Sequence, residues 1–188
     1  MLADPSTATT LGADLRALRR ARGVTLEHLA SRIGKSVGWI SQVERDLSAP
    51  TLTDLQAIAT ELQVPLSLFF STATSPDDEQ GLIVRAANRR QIGDAGGLTE
   101  SLLSPDLTDD FEVVHSTFAP GAARTQTMSR PTQELAYLVS GKLDVWIDDA
   151  AFTISAGDSF RIRGQAYRWA NPYPDPAVAI WVIAPPVY

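Results

Sequence analysis

The chain has 188 residues, of which 44% are hydrophobic and 20% are charged, so it can bury a core and form one large or two small domains. It contains no cysteine and two histidines, His28 and His115, which excludes disulfide scaffolds, cysteine-ligated zinc, iron–sulfur clusters and a thiol nucleophile. The net charge of −6 argues, as an average over the whole chain, against a nucleic-acid binder. No apolar run approaches the roughly 18 residues of a membrane span and residues 1–10 lack the features of a signal peptide, so we expect a cytoplasmic protein.

Two halves of the sequence differ in their hydrophobic pattern. Over residues 11–70 the apolar side chains recur at helical spacing, whereas over residues 111–187 they alternate or form short runs between turn residues, as in strands. Residues 71–80 (STATSPDDEQ) carry no core-forming side chain and predict a linker. The predicted α+β multidomain chain therefore comprises a loose tail (1–10), a helical domain (11–70), the linker (71–80) and a β-rich domain (81–188).

Capping residues divide the N-terminal half into five short predicted helices. Three of the predicted starts carry a hydroxyl that can accept a backbone N–H, and the fifth has a proline at the first helical position. Glycine follows the first two helices, where a left-handed residue commonly ends a helix. The predicted helices begin near Leu11, Thr25, Ser36, Thr51 and Pro65.

The second and third predicted helices are separated only by residues 34–36. Such a tight connection is the geometric requirement of a helix-turn-helix, whose second helix enters the DNA major groove. Residues 26–34 (LEHLASRIG), 39–45 (WISQVER) and 48–52 (SAPTL) closely resemble the phage-repressor-like, or xenobiotic-response-element (XRE), helix-turn-helix family. The resemblance involves all five predicted helices and implies binding to a double-stranded DNA operator.

The resemblance also implies DNA contacts for particular side chains. Gln42 is the best candidate for direct readout, because an amide can pair with adenine through two hydrogen bonds. Val37 and Gly38 stand where family members often carry long polar side chains, so the operator sequence is not predictable. The expected contacts are Ser36, Val37, Gly38 and Gln42 on base edges, Thr25, Arg45 and Ser48 on phosphates, and Trp39 at the rim.

The distribution of charge removes the objection raised by the acidic total. Between Arg16 and Arg45 there are seven basic and two acidic residues, a net charge of +5 that suits phosphate contact. Residues 71–188 carry nine basic and fifteen acidic groups, which is the whole of the −6. Within the basic stretch, the resemblance assigns Arg19 and Glu44 to an internal ion pair.

The C-terminal half resembles a cupin, a small antiparallel jelly-roll barrel. The spacing of Gly121, Glu134 and Gly141 fits the first cupin motif, and the turn at Gly157 opens the second. The segments that carry the resemblance are residues 120–121 (PG), 134–141 (ELAYLVSG), 148–149 (DD), 157–162 (GDSFRI) and 171–172 (NP). An XRE-type helix-turn-helix followed by a cupin implies a two-domain regulator.

Many cupins hold a divalent metal through two histidines and a glutamate of the first motif and a histidine of the second. By resemblance, the first-motif histidine positions fall on Thr127 and Ser129, the second-motif position falls on Tyr167 or Arg168, and only Glu134 is kept. Hydroxyl groups beside one carboxylate are poor ligands for transition metals. We therefore expect no metal, no cofactor and no enzymatic chemistry of the usual cupin kind.

Without a metal, the predicted barrel interior has the form of a small-molecule pocket. Strand alternation places Glu134, Ala136 and Leu138 on one face, which the cupin pattern points inward. A carboxylate beside aromatic rings suits an amine or an amino-acid-like effector, whereas an inward arginine suits an organic acid, and the sequence does not choose. The candidate effector-binding residues are Arg124, Gln126, Thr127, Ser129, Glu134, Tyr167 and Trp169.

Three functions agree with these patterns. The first, which we favour, is a transcriptional regulator that responds to a small-molecule effector and dimerises through its cupin domain. The second is a constitutive repressor whose filled cupin serves only for dimerisation. The third is a metal-dependent cupin enzyme, against which the missing histidines argue. The expected partners are an operator, an effector and a second copy of the chain, with no membrane.

Overall fold

The computed structural model describes residues 10–64, 66–70, 79, 81–105, 107 and 109–187. The predicted tail, apart from Thr10, and the predicted linker 71–80, apart from Glu79, lie outside the described residues. The chain divides into two compact units. The first comprises residues 1–90 and 104–109, and the second comprises residues 91–103 and 110–187.

The first unit is helical, and its predicted caps are present. The Thr25 hydroxyl accepts the backbone N–H of His28 at 3.1 Å, and that of Ser36 accepts the N–H of Trp39 at 3.1 Å. Thr51 forms a reciprocal capping box with Asp54. The helices are α1 (Leu11–Ala21), α2 (Leu26–Ile33), α3 (Val37–Val43) and α4 (Leu52–Leu62).

The expectation of five α-helices is wrong for the last one. The segment expected to form it is a 3₁₀ helix over Leu66–Phe69, so the described part of this unit contains four α-helices. Four residues provide a single turn, and so short a segment commonly closes i→i+3 bonds. Leu68 and Phe69 are nevertheless buried, as a core-facing last turn requires.

The core of the helical unit brings α1 against the end of α3. Leu15 and Leu18 of α1 are buried, as are Ile40 and Val43 of α3. Gly12 makes this approach possible, because a Cβ there would lie 2.4 Å from the carbonyl oxygen of Val43. None of the helices in the described part of the chain is long and apolar enough to cross a membrane.

Residues 81–90 and 104–109 were expected in the β-rich domain, yet they group with the helices. Asp14 of α1 is buried and holds both segments. Its carboxylate lies 2.6 Å from Nη2 of Arg90 and accepts the backbone N–H of Leu107 at 3.2 Å. A buried carboxylate is stable only when it is paired and hydrogen-bonded, which explains this grouping physically.

The second unit is built from ten antiparallel strands. One sheet has the order β1-β2-β3-β10-β5-β8 and the other the order β4-β9-β6-β7. The strands are β1 (Gln91–Ala95), β2 (Leu98–Leu102), β3 (Glu112–Phe118), β4 (Ala123–Met128), β5 (Gln133–Ser140), β6 (Lys142–Ile147), β7 (Ala150–Ser155), β8 (Ser159–Arg163), β9 (Tyr167–Ala170) and β10 (Ala177–Ala184).

The expected closed jelly-roll barrel is corrected to two open sheets. Within the described strands, β1, β8, β4 and β7 each pair with one neighbour only, so both sheets keep their edges. The two inner faces meet through aromatic side chains. Phe118 of one sheet packs edge-to-face on Trp169 of the other, with ring centroids 4.7 Å apart.

Glycine allows the chain to pass from one sheet to the other between β5 and β6. Gly141 has φ 77°. A Cβ at this position would lie 2.5 Å from the carbonyl oxygen of Pro176, so any other residue would clash with the backbone as well as strain it. The backbone conformation and the close approach of Pro176 therefore require glycine at this position of the first cupin motif.

We expect the two helical glycines Gly12 and Gly38 to respond oppositely to alanine, although both are the second residue of a helix. Gly12→Ala forces a Cβ into the Val43 carbonyl and should lower the free energy of unfolding, toward the upper end of about 1–3 kcal/mol. Gly38→Ala meets nothing closer than 3.9 Å and should raise it by up to about 1 kcal/mol. Urea unfolding followed by far-UV circular dichroism measures both, and equal stabilisation by the two changes would contradict this packing.

Candidate functional site

The connection between α2 and α3 has the geometry of a helix-turn-helix. Gly34, in the left-handed region at φ 69°, ends α2, and Ser36 caps α3 two residues later. The first turn of α3 is open to solvent, with Val37 39% exposed and Gly38 exposed. A short helix presented by its N-terminus in this way can enter the major groove.

The structure places all eight candidate DNA-contacting residues at the surface of the helical unit, and they differ in how exposed they are. Gly38, Gln42 and Arg45 follow i, i+4, i+7 spacing along α3 and its end, so they share one side. Arg45 uses one of its five donors on the carbonyl oxygen of Ser41 at 3.0 Å. Thr25, Ser36, Val37, Gly38, Gln42 and Arg45 are exposed, and Trp39 and Ser48 are half-buried.

The predicted ion pair between Arg19 and Glu44 is present and buried. Nε and Nη2 of Arg19 donate to the two carboxylate oxygens of Glu44 at 2.5 and 3.0 Å, and Nη1 donates to the carbonyl oxygen of Val24 at 2.7 Å. Both side chains are at least nine-tenths buried. Because Glu44 directly follows α3, this bidentate pair fixes the end of α3 against α1.

Ion pairs reduce the positive charge expected near α3. Lys35 lies 2.8 Å from Asp54 and 4.6 Å from the centre of the Trp39 ring, and Arg32 lies 3.0 Å from Glu61. Arg16, Arg20 and Arg45 remain exposed. The net charge of +5 therefore overstates the cations that face solvent without an acidic partner.

The pKa of the Asp54 carboxyl is lowered by its neighbours. The Lys35 ammonium, followed by the backbone N–H and the hydroxyl of Thr51, lowers the pKa of Asp54 from 3.8 to about 2. Each of these donors bonds the charged carboxylate, which is why the charged form is favoured. Lys35 is thereby held between Asp54 and Trp39, at the turn that leads into α3.

In the second unit, Glu134 is only 2% exposed and lies between the two sheets. Its Oε1 accepts the hydroxyl of Thr132 at 2.7 Å, and its Oε2 accepts the hydroxyl of Tyr167 at 3.1 Å. Glu134 belongs to β5 and Tyr167 to β9, so the second bond joins the sheets. Burial, together with the Glu134 carboxylate, raises the pKa of Tyr167, which keeps the phenol protonated.

The structure brings together only part of the predicted effector set. Glu134 and Tyr167 are in contact, and Trp169 is buried but packs on Phe118 instead. Ser129 is exposed and donates to the carbonyl oxygen of Gly164 at 2.9 Å. Arg124, Gln126, Thr127 and Ser129 are all exposed, whereas the hydrogen bonds to Glu134 come from Thr132 and Tyr167.

Several residues of this interior were not among the predicted effector contacts. Thr132 binds Glu134, Trp181 packs beside Tyr167 with ring centroids 6.5 Å apart, and Glu100 accepts the hydroxyl of Ser116 at 2.8 Å. Trp181 continues the alternation of the buried Ala177 and Ala179, and that regular pattern is the signal that identifies it as inward. Thr132 precedes its strand, so no alternation signals it.

The donors around Glu134 do not suit a transition metal. Thr132 and Tyr167 donate hydroxyl hydrogens to its oxygens, and the raised pKa of Tyr167 opposes the phenolate that a metal would need. Across the described residues, no group of three or more His, Asp or Glu side chains is placed to hold a metal ion.

A groove of about 490 Å³ lies beside Thr132, lined by Pro131, Thr132, Gln133, Arg163, Gly164, Ala184 and Pro185.

Comparison with known proteins agrees with both units. Residues 15–69 match the helix-turn-helix family and residues 114–183 match the cupin domain family. The HTH-type transcriptional regulator SutR of Escherichia coli is 31% identical over 160 residues, which cover 82% of each chain. The chain belongs to the XRE-type helix-turn-helix regulators that carry a cupin domain. As a member of this family, it is a DNA-binding transcriptional regulator.

Two further similarities are weaker. The HTH-type transcriptional regulator PuuR of Escherichia coli is 22% identical over 152 residues, covering 81% of this chain and 82% of that one. The structure of KdgF from Halomonas sp. covers 57% of this chain and 96% of that chain, with a TM-score of 0.50 and 18% identity. The second similarity concerns the cupin fold alone.

We expect the Asp54 carboxylate to titrate well below an ordinary aspartate, and Lys35→Met to move its pKa back up. Since the folded-state pKa is depressed, the stability that this carboxylate contributes is complete above about pH 4 and is lost as pH falls through about 2. Carbon-13 NMR titration of the Asp54 carboxyl measures the pKa directly. Identical pKa values in wild type and Lys35→Met would contradict the assigned cause.

Proposed function

We propose that this regulator binds an operator through α3 and that its cupin unit, without a metal, binds a small-molecule effector that changes DNA affinity. The exposed first turn of α3, a helix whose other end is held by the buried Arg19–Glu44 pair, is the observation that carries the DNA-binding mode. In this mode Gln42 pairs with an adenine. Val37 contacts a thymine methyl, Ser36 and Gly38 lie against base edges, and Trp39 lies at the rim.

Phosphate contacts position the helix in the groove. Arg45 and Thr25 are exposed and Ser48 is half-buried at the surface of the same unit. The Thr25 hydroxyl accepts a backbone N–H as a cap and still has a hydrogen to donate to a phosphate oxygen. Such contacts supply affinity without sequence information, so specificity rests mainly on Gln42 and Val37.

The proposal for the effector rests on Glu134. A carboxylate held between two sheets by neutral hydroxyls is typical of a recognition site more than of a core, because burial of a charge without an opposite charge is costly. The bulky side chains of the same interior, Trp169, Trp181 and Phe118, favour the alternative of a constitutive repressor with a filled cupin. An effector that stabilises the folded protein by mass action distinguishes the two.

We further propose that the regulator is a homodimer, joined by the outer face of the six-stranded sheet. Leu135 and Tyr137 of β5 and Val182 of β10 are 48%, 49% and 40% exposed. Leu135 lies directly opposite Val182, so these side chains form one apolar patch on central strands. A two-fold pairing of this face would present two α3 helices to two half-sites.

Gln42→Ala should abolish most sequence discrimination. Loss of a bidentate amide–adenine pair costs about 1–3 kcal/mol, or roughly five- to hundredfold in affinity for the operator, while affinity for unrelated DNA should stay unchanged. DNase footprinting upstream of the regulator's own and neighbouring genes locates the operator, and titration with labelled duplexes measures both affinities. Gln56→Ala, an exposed glutamine on α4, is the matched control. Equal effects of the two substitutions would refute the assigned readout.

Replacing Leu135 and Tyr137 together by lysine should convert the dimer to a monomer. Two buried ammonium groups in an apolar interface are strongly unfavourable. Sedimentation equilibrium measures the mass, and operator affinity should fall with it. The control is Phe152→Lys, because Phe152 is equally exposed (49%) but lies on edge strand β7 of the other sheet. A dimer that survives the double substitution, or a monomeric wild type, would contradict the proposal.

A further inference from the structure

The inner face of the cupin unit carries carboxylates without close positive partners. Glu134 is bonded by the hydroxyls of Thr132 and Tyr167, and Glu100 by the hydroxyl of Ser116. In the part of the chain that the structure describes, no Lys, Arg or His nitrogen lies within 4.0 Å of either carboxylate. Both carboxylates raise the pKa of Tyr167, and the Arg130 guanidinium opposes them, so all three charges act at that phenol. A cation that binds the Glu134 carboxylate directly would lie closer to it than any described Lys, Arg or His nitrogen does.

Trp181 supplies an independent indication of a ligand. Its side chain is 6% exposed, and its Nε1–H has no acceptor among the described residues. Trp181 lies opposite Ala136, which shares the inner face of β5 with Glu134. Its indole ring also packs beside two other rings. The centroid of the indole ring lies 6.5 Å from that of Tyr167 and 5.4 Å from that of Phe160. A buried donor of this kind is unfavourable unless an acceptor is supplied.

We propose that this interior binds a small aliphatic amine that also carries a neutral hydrogen-bond acceptor, as an amino alcohol does. The ammonium donates to the free lone pairs of the Glu134 carboxylate, and the acceptor receives the Nε1–H of Trp181. The methylene groups between them pack on the faces of Trp181, Tyr167 and Phe160, where a cation is also attracted. This rests on the proposed effector function and narrows it to one class of ligand.

The chemistry of the site disfavours organic acids. A second carboxylate beside Glu134 would bury two like charges in a region of low dielectric constant, which is strongly unfavourable. Arg163 lies in the groove beside Thr132, but it is exposed.

The first experiment uses the full-length wild type with probes of matched shape. Ethanolamine, propanolamine and butanolamine are compared with propylamine and butylamine, with propanol and butanol, and with propionate and butyrate. We expect at least one amino alcohol to raise the melting temperature and change tryptophan emission, the plain amines to do so more weakly, and the alcohols and acids to have no effect. Failure of every amine, or a stronger effect of an acid, would overturn the inference.

Two substitutions test the assigned contacts. Glu134→Gln removes the charge, keeps an acceptor at one of the two oxygen positions and places an N–H donor at the other, where a hydroxyl oxygen can accept it. It should weaken amine binding about tenfold or more. Asp149→Asn removes the same charge from an exposed turn and should leave binding unchanged. Trp181→Phe should remove the preference for amino alcohols over plain amines while plain amines still bind. Equal weakening by Asp149→Asn and Glu134→Gln, or an unchanged preference in Trp181→Phe, contradicts the proposed geometry.

The same data separate this inference from the broader function. If an organic acid binds and alters operator affinity, the effector function stands and the amine assignment fails. If no probe binds and operator affinity is constant throughout, the amine assignment fails and the constitutive alternative is favoured. Melting temperatures of the unliganded variants show whether a loss of binding reflects a loss of folding.

Discussion

The buried ion pair between Arg19 and Glu44 is the interaction on which the position of α3, the proposed DNA-reading helix, depends. An isolated helix of seven residues, the length of α3, is unstable in water, because its nucleation cost is not repaid. Its position must come from packing, and Ile40 and Val43 provide the apolar part. The bidentate pair adds direction, because two parallel bonds define how Glu44 faces α1. Removing one partner would leave a buried charge uncompensated, at a cost of about 3–5 kcal/mol.

Charge is distributed differently in the two units. The whole chain is acidic, yet the cations of the helical unit are not all available, since Lys35 and Arg32 face Asp54 and Glu61. Those pairs lie on α2, the turn and α4, and they stabilise the unit around α3. In the cupin unit the acidic groups extend inside, where Glu134 is buried. The exposed cations of the helical unit suit the DNA polyanion, and the buried carboxylate is the group on which the proposed effector site rests.

The sequence predicts local features better than the pairing of strands. Thr25, Ser36 and Thr51 act as caps because a cap depends on a few neighbouring residues, and the Arg19–Glu44 pair follows from the family resemblance. For Thr127 and Ser129, which were predicted to line the interior, the prediction from the sequence was less successful. The four steps from Arg124 to Met128 along β4 span only two along β9, and Met128, not Thr127, packs against the core. Alternation from the buried Ala122 already places Met128 on the inner face and Thr127 and Ser129 on the outer one. Their assignment to the interior came from the cupin resemblance, which the strand pattern does not support.

Longer-range contacts explain the other differences. The grouping of residues 81–90 and 104–109 with the helices depends on Asp14, which is distant in sequence from both Arg90 and Leu107, so no local pattern could have predicted it. The open edges of the two sheets likewise depend on strands that do not pair. By contrast, Glu134 and Tyr167 were both expected inside, since each continues a regular alternation of buried residues.

The protonation state of Tyr167 determines what kind of signal this interior can detect. Burial and the neighbouring carboxylate raise its pKa, so the phenol remains a donor to Glu134 throughout the physiological range of pH. The hydrogen bond that joins the sheets is therefore not broken by titration of the tyrosine. A ligand that donates to the free lone pairs of the Glu134 carboxylate acts on the acceptor of that bond. In the proposed regulator, the link between the sheets consequently responds to the occupant of the interior rather than to the ionisation of Tyr167.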